Sequence, residues 1–324
     1  MLPSCTRHAY VMLVFLLLAS IFCAHLGGAL GETAANTLLP EETQALSQQE
    51  TIIEDFENGY WFYEDPSQGL RIEIYRHELT DIKMIWYEAD IRTTEKTPIQ
   101  LFAANPDNPG KGFMYAERIV RSNQLVFAIN DDQFGHRVYN RQTVGIIVRN
   151  GSVLSDKTKA SGKVTLPNLD VGAFFPDGSM RVFQSAEYTG DEYLDMGVEN
   201  TLCFGPYILR DGEINPDFQK YYRIGEPRCA IGMIEPYHYM AIMVEGRITR
   251  AQGASLQWLG ERMQELGVIE AINLDGGETA SILFMGKKLE VNNPTGRVRK
   301  TRSLSGVVGL GISEKVPEYE GVGK

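Results

Sequence analysis

The chain has 324 residues, 43% hydrophobic and 23% charged, with a formal net charge of -11. These are values of an ordinary globular protein with room for one large domain. The acidic balance argues against nucleic acid as a partner, because phosphate backbones are gripped by Lys and Arg; a pocket for a single phosphate needs only one or two local Arg residues and is not excluded.

The N-terminus comes first. Arg7 and His8 precede an apolar run, Ala9 to Ala24, and small residues follow at Gly27, Gly28, Ala29 and Gly31. That order predicts a secretory signal over residues 1–31, either cleaved or kept as an N-terminal anchor. The mature protein is then expected at the cell surface or secreted, with membrane contact only through such an anchor. Cys5 and Cys23 fall in this segment. Cys203 and Cys229 remain, either paired in an oxidising compartment or buried as free thiols.

Residues 32–55 are polar and read as a tether. The aromatic cluster Phe56, Tyr60, Trp61, Phe62 and Tyr63 opens a domain expected over residues 56–316, followed by a tail, 317–324. Leu70 to Arg76 alternates apolar and charged residues, as does Ile85 to Ile91, the period of a strand with one wet face. Leu125 to Ile129 is continuously apolar and predicts a strand buried on both faces. Val144 to Val148, Asn150-Gly151, then Ser152 to Leu154 is a hairpin pattern. Further turns are expected at Pro176-Asp177-Gly178, Arg210-Asp211-Gly212 and Glu245-Gly246. One helix stands out: Leu256, Leu259, Met263 and Leu266 share a face, and Gly267 suits its C-terminal cap. A buried strand, Val268 to Leu274, follows. The fold class predicted is α+β, one catalytic domain of mixed, strand-rich sheets with few helices.

Two segments put polar groups directly after buried strands. In Asn273-Leu274-Asp275-Gly276-Gly277-Glu278, paired glycines let backbone approach a ligand and offer N–H groups to an anion, beside a carboxylate able to act as acid or base; Asp275 can equally cap its own turn. In Asn130-Asp131-Asp132, adjacent acids could orient a sugar hydroxyl or sit in an ordinary solvated turn. Arg228 precedes an apolar strand and suits either a phosphate or a structural ion pair. No Gly-x-Ser-x-Gly elbow, P-loop or Cys/His metal spacing occurs. No cofactor is called for, though Asp131, Asp132, Asp275 and Glu278 could together hold a hard divalent cation.

Read in order, these segments resemble the phosphodiester glycosidase family from about Leu125 to Leu310, and more faintly back to Leu70. The resemblance rests on Asn130 to Phe134, the hairpin Gly145 to Gly151, the bend Phe204-Gly205-Pro206 with Asp211-Gly212, Pro227 to Gly232, Asn273 to Gly277, and a later Arg302. Here Glu278 stands where the family has a third Gly, Cys229 where it has Thr, and Asp131 where it has Gly. The resemblance implies hydrolysis of a sugar-1-phosphodiester at the anomeric carbon. It implies Asp275 as acid/base or nucleophile, with Asp132 and Glu278 as second choices. Arg228 and Arg302 would hold the phosphate, and Asn130 a sugar hydroxyl or phosphate oxygen. Asn273, Gly276, Gly277 and Ser281 would line the substrate. Two other readings use the same pocket: a non-catalytic module binding envelope glycans, and an accessory enzyme of exopolysaccharide assembly.

Overall fold

Alternation of apolar and polar residues folds the first part of the chain into an antiparallel meander. Its strands are β1 (Thr51–Asp55), β2 (Tyr60–Asp65), β3 (Leu70–Leu79) and β4 (Met84–Arg92). The computed structural model of the protein describes residues 49–132, 144–157, 169–217, 225–290 and 302–319. The export signal, most of the tether, and residues 320–324 of the tail lie outside the described residues. β1 begins inside the stretch read as tether and pairs with β2, Thr51 opposite Glu64.

The remaining strands are β5 (Gln100–Ala103), β6 (Leu125–Asn130), β7 (Gly145–Arg149), β8 (Ser152–Lys157), β9 (Val171–Phe174), β10 (Met180–Phe183) and β11 (Asn200–Cys203). They continue with β12 (Tyr207–Arg210), β13 (Glu213–Ile214), β14 (Arg228–Glu235), β15 (His238–Val244), β16 (Glu270–Asn273), β17 (Ile282–Phe284), β18 (Lys287–Lys288) and β19 (Gly306–Ile312). A nine-stranded sheet runs β1-β2-β3-β4-β15-β14-β16-β12-β13, and a five-stranded sheet runs β18-β17-β6-β19-β5. Smaller sheets are β10-β9-β11 and β7-β8.

The α+β, strand-rich class with few helices is what the structure has. Mixed pairing is not: every ladder among the described residues is antiparallel. The reason lies in the connections. Most neighbours are joined by tight turns, such as Asn150-Gly151, with φ of 49° and 69°, which suit hairpins alone. The helical crossover links β15 to β16, but β14 lies between these two and opposes both.

The main core sits between the two large sheets. Ile72, Ile74, Tyr87 and Ile231 of the nine-stranded sheet meet Phe127, Ile129, Phe284 and Val308 of the five-stranded one. Burial of each such side chain contributes roughly 1.5–3 kcal/mol. The far face of the large sheet is covered by a helix, Leu256–Glu265, which packs Leu256, Leu259 and Met263 on Ile242 and Val244. It starts where Ser255 Oγ accepts from Trp258 N (3.1 Å) and stops at Gly267, φ 82°. Two shorter helices, Ala116–Ser122 and Gly190–Asp195, carry no long-range periodicity. The first covers the far face of the five-stranded sheet with Ile119 and Val120. No helix among the described residues is long and apolar enough to cross a membrane.

The covering helix is tied to the sheet by a nearly buried carboxylate. Arg262 Nε and Nη2 donate to the two oxygens of Glu88 at 2.6 and 3.0 Å, and Trp86 Nε1 donates at 2.6 Å. Burial works against the Glu88 charge, yet the contacts from His77, Arg262 and Trp86 outweigh it and hold its pKa down from 4.5 to about 2. A lowered folded-state pKa stabilises fully above the unfolded value and drains away as pH falls through the folded one. The contribution is on the order of 3 kcal/mol. The urea midpoint of the wild type is therefore expected to drop between about pH 5 and pH 2. Glu88→Gln should lose most of that stability already at pH 7 and show a flatter acid limb. Equal acid limbs in the two proteins would refute this role.

Candidate active site

β16 stays hydrogen-bonded to β14 until the residue before Asp275. Ala230 pairs with Asn273, and Leu274 N donates to Cys229 O at 2.8 Å. Beyond the paired residues the turn that follows still packs on the start of β14: a Cβ on Gly276 would lie 3.9 Å from Arg228 Cα. Leu274 and Cys229 face the core, both fully buried.

The two glycines then turn the chain. A Cβ on Gly276 would lie 2.5 Å from Pro227 O, and Gly277 has φ of 64°, a left-handed conformation suited to glycine. Gly277 N donates to Pro227 O at 3.1 Å, and Thr279 N closes the turn onto Gly276 O at 3.2 Å. The Asp275 side chain, 18% exposed, is oriented by Thr279 Oγ1, which donates to its Oδ2 at 2.6 Å. Arg302 Nη1 lies 3.9 Å from the same oxygen and donates to Thr279 Oγ1 at 3.4 Å. A guanidinium and a carboxylate thus share one half-exposed spot.

Asn130, at the end of β6, clamps this turn from the other sheet. It is fully buried. Its Nδ2 donates to Asp275 O at 2.9 Å and to Asp131 O at 3.0 Å. Its Oδ1 accepts from Ser281 N at 3.0 Å. Ser281 Oγ in turn donates to Thr279 O at 3.0 Å. Asn273 holds the Phe204-Gly205-Pro206 bend by donating from Nδ2 to Gly205 O at 2.9 Å. Its buried Oδ1 has no hydrogen-bond donor among the described residues, leaving an acceptor suited to a hydroxyl. Arg228 Nε donates to Ala254 O at 3.2 Å, which fixes the root of its guanidinium.

The structure therefore gathers Asn130, Arg228, Asn273, Asp275, Gly276, Gly277, Ser281 and Arg302 around one turn. Glu278 lies on that turn, half-buried. Asp132 is differently engaged. Both its oxygens take Arg149 Nη2, at 3.0 and 3.2 Å, and Oδ2 also takes Cys203 N at 2.7 Å. With Asp132 fully buried and Arg149 8% exposed, this pair fastens β7 and β11 to the end of β6. Asp131 Oδ2 accepts from Ser305 Oγ at 2.9 Å. No group of three or more His, Cys, Asp or Glu side chains among the described residues is arranged to hold a metal ion. Cys203 and Cys229 are both buried free thiols, and burial pushes the Cys229 thiol well above its ordinary range.

Sequence reasoning missed two contributors. Thr279 orients Asp275, and its only signal was a hydroxyl four residues on. Arg247 packs its guanidinium on Gly277, 3.0 Å from where a Cβ would stand. Its signal was a basic residue in the Glu245-Gly246 turn after a buried strand.

Several proteins share this arrangement of strands. The catalytic domain of zebrafish N-acetylglucosamine-1-phosphodiester alpha-N-acetylglucosaminidase, auto-inhibited by its pro-peptide, superposes with a TM-score of 0.59 at 18% identity, covering 76% of this chain and 84% of that one. A hypothetical protein from Synechocystis gives 0.50 at 14% identity, over 76% of this chain and 62% of that one. In sequence, the SPbeta prophage-derived uncharacterized protein YomE of Bacillus subtilis (strain 168) is 25% identical over 151 residues, 46% of this chain. The match spans only 23% of that relative's length. The family model described as phosphodiester glycosidase matches residues 123–310. That stretch is more than half of the chain and contains the whole turn built above, so the chain belongs to the phosphodiester glycosidase family.

Proposed function

We propose that the protein is an exported hydrolase that cleaves a sugar-1-phosphodiester at the anomeric carbon. Water replaces the phosphate at C1, directly or after Asp275 has displaced it, and gives up one proton; the bond from C1 to the phosphate oxygen breaks. The electron pair leaves with that oxygen, and the products are a free sugar and a phosphomonoester. Asp275 faces C1 as nucleophile or acid/base, meeting oxocarbenium-like charge in the transition state. Arg228 and Arg302 hold the phosphoryl oxygens and stabilise the charge that develops as they depart. Asn273 Oδ1 accepts from a sugar hydroxyl. The observation that carries this reading is the placement of Arg302 3.9 Å from the Asp275 carboxylate, on a turn that packs against the start of β14 where Arg228 stands. Family membership and the activity named for the zebrafish relative support it. Export rests on the N-terminal charge, apolar run and small residues.

The test is incubation of the full chain with a soluble sugar-1-phosphate diester and detection of released reducing sugar. Release is the expected result. Glu278, in place of the family's third Gly, favours a second reading in which the pocket binds envelope glycans without turnover. Binding of the diester with no sugar released would support that reading instead. Release from polymeric but not small diesters would indicate a role in exopolysaccharide assembly.

A further inference from the structure

We propose that Arg247 is a third cation of this site, donating to the phosphoryl group of the substrate, with Glu226 as the residue that positions it. The proposal rests on the reading of the site as one for sugar phosphodiesters and adds a residue that the family motifs above did not supply.

Arg247 follows β15 with φ of 58°. That conformation is sparsely populated for a residue with a side chain and persists where surrounding structure enforces it, often at ligand sites. The enforcement is visible. A Cβ on Gly246 would lie 2.8 Å from Pro227 N, and one on Gly253 would lie 2.4 Å from Glu226 C. Three stretches of backbone are thus stacked with no side chain between them, and the roots of Arg247 and Glu226 are fixed together. Glu226 Oε2 accepts from Arg247 Nε at 2.6 Å. This turns the guanidinium so that Nη1, Cζ and Nη2 lie 3.0–3.4 Å from the Cβ position of Gly277. The terminal nitrogens are carried to the turn that bears Asp275, and any side chain at position 277 would displace them.

Stability does not account for the arrangement. The pair is 47% and 30% exposed, and exposed ion pairs add little. Its chemistry fits a phosphoryl oxygen, because a planar guanidinium held on one edge offers its other donors in parallel. Three guanidinium groups around one turn would also favour the dianionic phosphomonoester product over the monoanionic diester, so inorganic phosphate should bind and inhibit.

The experiment titrates inorganic phosphate into the full-length protein and compares Arg247→Asn, since Asn tolerates a left-handed backbone, and Arg247→Lys, which keeps charge but loses the fork. Thermal melts establish that each variant is folded. The expected result is phosphate binding roughly 10- to 100-fold weaker in Arg247→Asn, with Arg247→Lys between it and the wild type. KM for the diester should rise in parallel. Glu226→Ala should also raise KM with kcat little changed, the signature of a group acting through Arg247. Phosphate affinity unchanged in both Arg247 variants, or no phosphate binding by the wild type, would overturn the proposal. A wild type that binds phosphate through Arg247 yet releases no sugar would leave the anion site standing and sink the hydrolytic reading alone.

Discussion

Replacing Asp275 by Asn is expected to lower kcat on a sugar-1-phosphate diester by roughly 10²- to 10⁴-fold, the range associated with losing a positioned acid or base. The fold should be untouched. An Asn oxygen still accepts from Thr279 Oγ1, and the bond from Asn130 goes to the main-chain carbonyl of residue 275, not to its side chain. Melting temperature should therefore stay within a few degrees while turnover collapses. Phosphate binding should survive or tighten, because the carboxylate that competes for Arg302 is gone. A folded Asp275→Asn protein with near-normal turnover would remove Asp275 from the chemistry and leave Glu278 as the next carboxylate on the turn.

The largest expected effect on stability is at Arg149. Arg149→Met takes from the fully buried Asp132 the guanidinium that donates to both its oxygens. Removing one partner of a buried pair costs about 3–5 kcal/mol, a large share of the roughly 5–15 kcal/mol that holds a typical domain together. Urea denaturation would register it as a midpoint shift. Combining it with Asp132→Asn should restore most of the loss, because the uncompensated charge is gone. Asp132→Asn alone also separates architecture from catalysis. The buried pairing predicts lost stability, whereas a catalytic Asp132 would lose turnover at unchanged stability. A near-neutral Arg149→Met would mean that water reaches the pair.

Where a residue pattern is repeated or a turn needs special backbone, the sequence was informative. Leu70, Ile72 and Ile74 show the inward face of β3. Asn150-Gly151 and Asp211-Gly212 adopt the paired positive φ values their residue types favour. Ser255 and Gly267 bracket the covering helix. Less legible were Ala116–Ser122 and Gly190–Asp195, since one or two turns cannot display a helical period. β1 was hidden because Thr51–Asp55 continues the polarity of the residues before it. For the site, Asp275, its glycines and Arg228 could be picked out because each adjoins a buried strand. Asp132 was equally conspicuous, but its neighbour in space is Arg149, and pairing between distant side chains leaves no local trace. Arg247 was overlooked for the same reason: only the folded register of β14, β15 and β16 brings it to Gly277.

Asn130 has a kinetic consequence. Its amide joins positions 145 and 151 residues further along the chain. Such non-local closures form late, after the entropy of long loops has been overcome. A complete but half-folded polypeptide thus holds every reactive side chain yet cannot assemble them. Recovered turnover on refolding should lag the recovery of strand signal, so enzymatic competence would report the last step of chain closure.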